Sequence, residues 1–242
     1  MAKRAGIPVN PSLSIKASAE FAGTFFITLV AIAVDVLYYT GHHVDYVSRW
    51  LARGFITTAM IYSFATLSGA HINPAVSLGF AVRRVMPPLQ MLVYWVAQFA
   101  GGFAAAALAM ALWKSAIVLG ASHPGPEFSH LEAAITELIL TFLLMLVILA
   151  TAEEEATVGR QAALAVGLTI AACGFFAGPI SGASMNPARS IPPQVLGGVV
   201  DLSWIYAVGP ILGAALAAVV SIYFFPRAGS GVRKAGTGAP KR

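Results

Sequence analysis

Two polar segments that resemble each other interrupt a very apolar chain. The first runs from Ser68 to Ser77 with the sequence SGAHINPAVS, and the second runs from Ser181 to Ser190 with the sequence SGASMNPARS. Seven of the ten positions agree. In each segment an Asn can cap a helix with its side chain, and the Pro that follows suits the first helical turn. At the start of such a helix, the Asn side-chain amide lies beside unpaired backbone N–H groups. Together these donors attract oxygen atoms and repel cations.

The polarity of these segments argues against contact with lipid. Backbone that is broken by Gly and Pro survives at membrane depth only where protein buries it or where it lines a wet cavity. The two Asn residues lie 113 positions apart, so the repeat extends over much of the chain. The duplication therefore predicts a pore or a binding site at the interface between two half-proteins.

The composition is that of an integral membrane protein. Of the 242 residues 58% are hydrophobic and 10% are charged, and the mean hydropathy is +0.78. A soluble domain carries about a quarter charged residues, so this chain cannot cover a surface that faces water. The isoelectric point is near 9.6, but the basic residues cluster in tails and short loops, so no nucleic-acid partner is expected. The single cysteine, Cys173, excludes a disulfide framework and a Cys-based metal site.

Apolar runs of membrane length predict six transmembrane helices, since a span needs roughly 20 apolar residues. The segments are approximately 17–39, 50–67, 89–112, 132–151, 161–180 and 203–225. Two stretches that follow the Asn residues, 74–84 and 187–196, are too short to span and predict half-helices of roughly 15 Å. Pro192 and Pro193 predict an early end of the second one. The expected fold is an all-α membrane protein with six transmembrane helices and two re-entrant half-helices in an inverted repeat.

The distribution of basic residues predicts the orientation, because cytoplasmic loops are enriched in Lys and Arg. With both termini in the cytoplasm, eleven of the fifteen Lys and Arg residues fall on the inner side. The other four are Arg49, Arg53, Lys114 and Arg189. Because each repeat crosses the membrane three times, the second repeat begins on the opposite side from the first. The two repeats must therefore be inverted relative to each other. The expected division is a cytoplasmic tail 1–14, a first repeat 15–112, an extracellular connection 113–131, a second repeat 132–226 and a disordered cytoplasmic tail 227–242.

Further landmarks repeat in the same order, and together they resemble a known family. Glu20 begins a stretch in the first span that matches one beginning at Glu137 in the fourth. With two Asn-Pro-Ala motifs, the second followed by Arg189, the chain resembles the aquaporin family (major intrinsic proteins) over nearly all of residues 15–226. The resemblance implies a multi-pass channel of the cell (inner) membrane and a homotetramer with one pore per subunit. It implies no cofactor, no metal and no enzymatic activity.

The resemblance places the two motifs at the centre of the pore. Their residues are Asn73, Pro74, Ala75, Asn186, Pro187 and Ala188. Two half-helix N-termini that face each other carry about half an elementary charge each, so a cation or hydronium meets a barrier. The Asn amides would donate to a passing oxygen, and carbonyls of the loops would accept from it. The loop residues are Gly69, Ala70, His71, Ile72, Gly182, Ser184 and Met185.

Glu20 and Glu137 are ionisable groups inside predicted spans, which makes them functional candidates. The resemblance places each carboxylate beside a re-entrant loop, where it accepts hydrogen bonds that hold the loop open, with His71 as a candidate partner. A proton relay is the disfavoured alternative, because proton flux would undo the electrostatic barrier.

In this family four residues form a narrow outer filter. Counting from each Asn-Pro-Ala motif, the resemblance places the filter at Arg53, Gly174, Ala183 and Arg189. Arg53 departs from the family pattern, in which that position is usually aromatic. If Arg53 points away toward the headgroups, the small residues Gly174 and Ala183 leave a wide filter, as in a glycerol facilitator. If it points inward, two guanidiniums flank the opening and offer donors to an oxygen-rich solute. The outward orientation is favoured, since two unpaired cations would be costly, although Asp35 and Asp45 are possible partners.

The leading hypothesis is a passive channel for water and small neutral solutes of the glycerol, urea or metalloid-acid type, closed to protons and ions. Ser190 and Tyr206 resemble water channels and favour a mainly water-selective alternative. Two alternatives from other classes are a non-conducting structural membrane protein and an ion-coupled transporter. A transporter would need a cluster of coupling-ion ligands, which the sequence lacks. A membrane enzyme is the least favoured class.

Several other residues have ordinary interpretations. His42, His43, His123 and His130 match no metal-site spacing and are expected to be solvated loop residues. Cys173 is expected to pack in the core, and Glu153, Glu154 and Glu155 are expected to form a solvated loop. Four tryptophans near predicted span ends, Trp50, Trp95, Trp113 and Trp204, are expected to anchor the chain at the membrane interface.

Overall fold

The computed structural model describes residues 11–114, 117–152 and 161–225. The helices are α1 Leu13–Tyr39, α2 Tyr46–Ser68, α3 Pro74–Val82, α4 Pro88–Trp113, α5 Ile117–Gly120, α6 His130–Ala152, α7 Ala162–Ser181, α8 Pro187–Gly197 and α9 Ser203–Phe224, with a 3-10 turn at Val200–Leu202 before α9. The first ten residues of the predicted N-terminal tail and the whole predicted C-terminal tail, 227–242, lie outside the described residues.

In the described part of the chain, the helices confirm the predicted architecture of six long segments and two half-helices, α3 and α8, and the four-residue α5 is an addition between α4 and α6. Among the described residues, five segments are long and apolar enough to cross a membrane, namely α1, α4, α6, α7 and Val200–Phe224. The sixth predicted span, α2, has 23 residues and so is long enough, but it carries Arg49 and Arg53 and is less apolar. Large apolar side chains also cover the outside of the bundle, as contact with lipid requires.

The packing follows the inverted repeat. Within the first repeat α1 packs on α4 and α2, and within the second α6 packs on α9 and α7 in the same way. Contact between α2 and α7 joins the two halves. Each short helix also crosses into the other half, with α3 against α9 and α8 against α4. The two re-entrant loops are thereby brought together in the interior.

Small residues let the long helices of each repeat approach closely. A Cβ added at Gly101 would lie 2.3 Å from the carbonyl oxygen of Phe21, and one at Gly213 would lie 2.2 Å from that of Leu138. Phe21 and Leu138 follow the two repeated Glu residues, so Gly101 and Gly213 are equivalent positions. Glycine at both positions allows backbone contact that any side chain would prevent.

The second half-helix does not end early, which corrects the expectation from its prolines. α8 runs through Pro192 and Pro193 to Gly197, where the left-handed Gly198 caps it. Pro192 cannot donate to the carbonyl of Ala188 four residues back. That carbonyl lies against Gly102, where an added Cβ would be 2.1 Å from the oxygen. Packing on α4 therefore stabilises a helix that its local sequence disfavours.

Candidate functional site

The two repeated Asn residues cap the short helices and bridge the two loops. The Oδ1 atom of Asn73 accepts from the N–H of Ala75 at 2.9 Å, and that of Asn186 accepts from the N–H of Ala188 at 3.0 Å. Asn73 Nδ2 donates to the carbonyl of Met185 at 2.7 Å, and Asn186 Nδ2 donates to the carbonyl of Ile72 at 2.9 Å. An amide nitrogen carries two hydrogens, so each Asn uses one of them in the bridge and keeps one for another acceptor.

The loop backbone before each Asn is held in an unusual conformation. Ala70 and Ile72 have φ angles of 48° and 43°, and Ala183 and Met185 have φ angles of 40° and 55°. The left-handed region is disfavoured for residues with a side chain, most of all for β-branched Ile72. Each such residue costs on the order of 1–3 kcal/mol unless its surroundings compensate. The same alternation in both loops indicates a shared requirement.

Two buried carboxylates supply that compensation. Glu20 accepts from the backbone N–H of His71 at 2.9 Å and from that of Ile72 at 2.6 Å. Glu137 accepts from the backbone N–H of Ser184 at 2.8 Å and from that of Met185 at 2.7 Å. Each therefore lies beside its re-entrant loop. His71 contributes its backbone and not its ring, since its Nδ1 lies 3.1 Å from the Ser77 hydroxyl.

A second set of contacts repeats in both halves and is missed by the sequence analysis. The hydroxyls of Ser68 and Ser181 donate to Glu20 and Glu137 at 2.6 and 2.8 Å. The carbonyl of Ser68 accepts from the Tyr94 hydroxyl at 2.6 Å, and that of Ser181 accepts from the Tyr206 hydroxyl at 2.7 Å. The matching positions of the two tyrosines, 26 and 25 residues after the two serines, are the signal that would have identified them.

A cavity of about 930 Å³ passes the two Asn residues. Arg53 and Arg189 line one end, here called the arginine end, and Gln90 and Thr151 line the opposite end. Most of the predicted loop residues line it, namely Gly69, Ala70, His71, Ile72, Ser184 and Met185. Gly182 instead lines a smaller cavity of about 250 Å³ beyond the arginine end. The wall between the polar groups is largely apolar and includes Ile27, Ala31, Val76, Leu144, Ile148 and Ile170.

The arginine end is organised by Asp35 on α1. One Asp35 oxygen contacts Arg49 Nε at 3.2 Å, and the other contacts Arg189 at 3.3 Å and also receives a hydrogen bond from Arg53. Asp35 is 4% exposed, and the three arginines are 4–6% exposed, so the group is removed from water. The other candidate partner, Asp45, caps α2 by accepting from the N–H and the hydroxyl of Ser48. These hydrogen bonds hold the pKa of Asp45 below its ordinary value.

Arg53 faces the cavity, so the outward orientation favoured from the sequence was wrong. Its guanidinium is bound by Asp35, contacts the carbonyl of Gly182 at 3.4 Å, and lies 4.2 Å from the centre of the Trp50 ring. Two unpaired cations in one narrow opening would be costly. Asp35 reduces that cost, because a carboxylate between guanidiniums compensates for their loss of water.

Gly174 is not among the residues that line the cavity, in contrast to Arg53, Ala183 and Arg189. A Cβ added at Gly174 would lie 2.1 Å from the Trp50 ring, and one at Gly178 would lie 2.2 Å from it. Trp50 therefore fills the space that the absent side chain of Gly174 leaves. The indole is fully buried, so the expectation that Trp50 is an interfacial anchor was also wrong.

This packing predicts the sign of a substitution. Gly→Ala in a helix interior is ordinarily stabilising, but Gly174→Ala is expected to destabilise the protein by about 1–3 kcal/mol, because the new methyl group overlaps Trp50. Thermal unfolding in detergent measures this. The cost should shrink when Gly174→Ala is combined with Trp50→Leu, which removes the overlapping ring. An increase in stability for Gly174→Ala alone would contradict the packing.

The remaining candidates behave as ordinary residues. His42, His43, His123 and His130 are exposed, and Cys173 is fully buried in the apolar core. No group of three or more His, Cys, Asp or Glu residues that could hold a metal ion occurs within the described ranges. Glu153, Glu154 and Glu155, expected to form a solvated loop, lie outside those ranges.

Comparisons with known proteins agree with this arrangement. The sequence profile of the family described as Major intrinsic protein matches residues 9–221. Aquaporin NIP2-2 of Zea mays is 39% identical over 215 residues, which cover 88% of this chain and 72% of that protein. Putative aquaporin NIP4-1 of Arabidopsis thaliana is 42% identical over 206 residues, which cover 83% and 71%.

A solved structure shares the fold. The X-ray structure of the aquaglyceroporin from Plasmodium falciparum has a TM-score of 0.79 at 26% identity, and the match covers 87% of this chain and 96% of that one. Members of this family are channels and not enzymes. The chain therefore belongs to the major intrinsic protein family and is an integral membrane channel for water and small solutes.

Proposed function

We propose that the channel passes water together with small neutral solutes of the glycerol, urea or metalloid-acid type, and excludes protons and ions. The observation that carries this proposal is the pair of guanidiniums, Arg53 and Arg189, that line the arginine end of one continuous cavity. Arginine offers up to five N–H donors and no acceptor. A solute with several acceptor oxygens gains more from such an opening than a single water molecule does.

The centre of the cavity supports the exclusion of cations. α3 and α8 begin beside one another at Asn73 and Asn186, whose side chains bridge to the opposite loops. The positive ends of two helix dipoles therefore meet at the middle of the path. A hydronium or metal cation that passes this point loses water without gaining a negative partner, whereas a neutral hydroxyl compound accepts a hydrogen bond from each Asn amide.

A mainly water-selective channel is the second candidate, and a separate observation favours it. The space at Gly174, which in the sequence indicates a wide filter, is filled by Trp50, and the Arg53 guanidinium also faces the opening. Both features narrow the arginine end. In the first candidate, the N–H donors of Arg53 bind the solute. In the second, the bulk of the Arg53 side chain excludes it.

Solute uptake into proteoliposomes separates the candidates. Stopped-flow light scattering would follow water, glycerol, urea and boric acid gradients in parallel, with protein-free vesicles as the baseline. Thr57→Trp is the occlusion control, since Thr57 lines the cavity and bonds to the Arg53 carbonyl one turn away. Fast re-swelling in glycerol, urea or boric acid that Thr57→Trp abolishes would support the proposal. Fast water flux without re-swelling would support the water-selective candidate.

Replacement of Arg53 tests its role in solute choice. Arg53→Phe removes the donors but keeps a large side chain, so we expect glycerol flux to fall by about tenfold, as the loss of hydrogen bonds to a charged group implies, while water flux persists. The ratio of glycerol to water flux, normalised to folded protein, is the measurement. Arg84→Gln is the matched control, because Arg84 is exposed and follows α3 outside the cavity. An unchanged ratio would remove Arg53 from the solute path.

We further propose that the arginine end faces outward and that both termini lie in the cytoplasm of a cell with the channel in its (inner) membrane. The distribution of Lys and Arg supports this orientation. At the opposite end of the cavity, Arg83 donates to the carbonyl of Phe225 at 2.6 Å, so α3 and α9 end together. The repeats are proposed to be 15–112 and 132–226, connected by 113–131, and the assembly is proposed to be a homotetramer.

A further inference from the structure

The arginine end carries more positive than negative charge. Asp35 forms ion pairs with Arg49, Arg53 and Arg189, so this group of four residues has a formal charge of +2. Burial makes such a surplus costly, because ions that leave water need opposite charge nearby.

Within the part of the chain that the structure describes, Glu137 reduces this surplus but does not remove it. Glu137 lies near Arg189 but is occupied by the Ser181 hydroxyl and two loop N–H groups. If the Glu137 charge is included, the formal balance is still +1. Arg189 also lies in the first turn of α8, where the helix dipole adds further positive potential.

The two arginines Arg53 and Arg189 also border one space, because both line the large cavity. A ligand in that cavity can therefore contact both side chains. The Nε atom of Arg53 is buried without a hydrogen-bond partner, so it adds to the cost of the surplus and is not itself a contact for the ligand. Arg189 is held in place by the hydroxyls of Ser122 and Ser190, so an incoming ligand meets a preorganised group.

We propose that the arginine end binds a small oxyanion, such as a carboxylate or sulfonate monoanion, between Arg53 and Arg189. Two oxygens of an oxyanion can accept two parallel N–H hydrogen bonds from one guanidinium. A spherical halide cannot form this bidentate pair. The bound anion neutralises the buried surplus and occupies the opening, so it competes with neutral solutes. This inference rests on the proposed function only in its effect on flux, and binding itself is independent of conduction.

The flux experiment uses methanesulfonate, which stays ionised and does not cross lipid as a neutral acid. Equal concentrations on both sides of the proteoliposome membrane avoid an osmotic gradient, and chloride at the same ionic strength is the control. We expect methanesulfonate to inhibit water or glycerol flux saturably, and chloride to inhibit it less. Arg53→Gln should raise the half-inhibitory concentration by about tenfold, as the loss of a charged hydrogen-bonding partner implies. Arg84→Gln should leave it unchanged.

A thermal-shift experiment tests binding without requiring conduction. Methanesulfonate, but not chloride, should raise the Tm of the detergent-solubilised protein, because a ligand that binds only the folded state stabilises it. The shift should be lost in Arg53→Gln and enlarged in Asp35→Asn, which removes the competing carboxylate. If Asp35→Asn does not fold, Arg49→Gln is the second test, and it should reduce the shift.

The outcomes separate this inference from the proposed function. A methanesulfonate-specific Tm shift without any solute or water flux would support the anion site and overturn the proposed conduction. Flux that methanesulfonate does not inhibit, together with equal Tm shifts for methanesulfonate and chloride, would overturn the anion site and leave the channel intact. Equal responses of Arg53→Gln and Arg84→Gln would also overturn it.

Discussion

Replacement of Asp35 by Asn is expected to destabilise the protein by about 3–5 kcal/mol, the range found when one partner of a buried ion pair is removed. Asp35 contacts Arg49, Arg53 and Arg189, and all four residues are nearly inaccessible to solvent. Asn is close to Asp in shape but carries no charge, so the substitution isolates electrostatics from packing. Three guanidiniums would then repel one another without compensation.

Thermal and denaturant unfolding in detergent would measure the change, with Asp201→Asn as the matched control. Asp201 is exposed in the turn before α9, so its replacement should change stability little. The water and glycerol fluxes of the folded fraction should also change, because Arg53 and Arg189 lose the carboxylate that positions them. If Asp35→Asn were as stable as Asp201→Asn and equally conductive, the ion pairs would have no structural role.

Replacement of Glu137 by Gln is expected to cost on the order of 3 kcal/mol and to abolish most of the flux. The Glu137 carboxylate accepts three hydrogen bonds, from the Ser181 hydroxyl and from the N–H groups of Ser184 and Met185. The NH₂ group of a Gln side chain is itself a donor, so it would face these donors without an acceptor between them. The loop would then lose the acceptor that stabilises the positive φ angles of Ala183 and Met185.

Two comparisons make this prediction specific. Glu20→Gln should have an effect of similar size, since Glu20 holds the first loop in the same way and also binds Gln98 at 2.8 Å. Glu132→Gln is the control on the same helix, because Glu132 is exposed and Gln also suits its position in a capping box with Ser129. Stability in detergent and water flux per folded protein are the measurements.

The same variants decide between a structural role and a proton relay for the two carboxylates. A structural role predicts that the unmodified channel shows no proton conductance above that of protein-free vesicles. It also predicts that Glu137→Gln loses stability and water flux together. A relay predicts measurable proton flux that Glu137→Gln removes while stability is retained. A pH-sensitive dye inside the vesicles would distinguish the two outcomes.

The sequence by itself determined the elements whose signals are local. An Asn followed by Pro defines the start of α3 and α8, because the cap and the first-turn proline act within three or four residues. Apolar runs defined the long helices to within a few residues, and α2 was found despite its two arginines. The repeat of Glu20 and Glu137, read with the family resemblance, was enough to assign them to the loops. The matched pair Tyr94 and Tyr206, which donate to the carbonyls that precede the loops, was missed.

Only the tertiary structure decided the character of the arginine end. Asp35 and Arg53 are 18 positions apart, and Asp35 and Arg189 are 154 positions apart, so their contact depends on how α1, α2 and α8 pack. The prolines of α8 likewise allowed a helix because α4 packs against it. Gly174 indicated an open filter, yet the space it leaves is occupied by Trp50 from another helix. A single residue specifies its own volume and charge, whereas its neighbours in the fold decide whether that volume stays empty and whether that charge is paired.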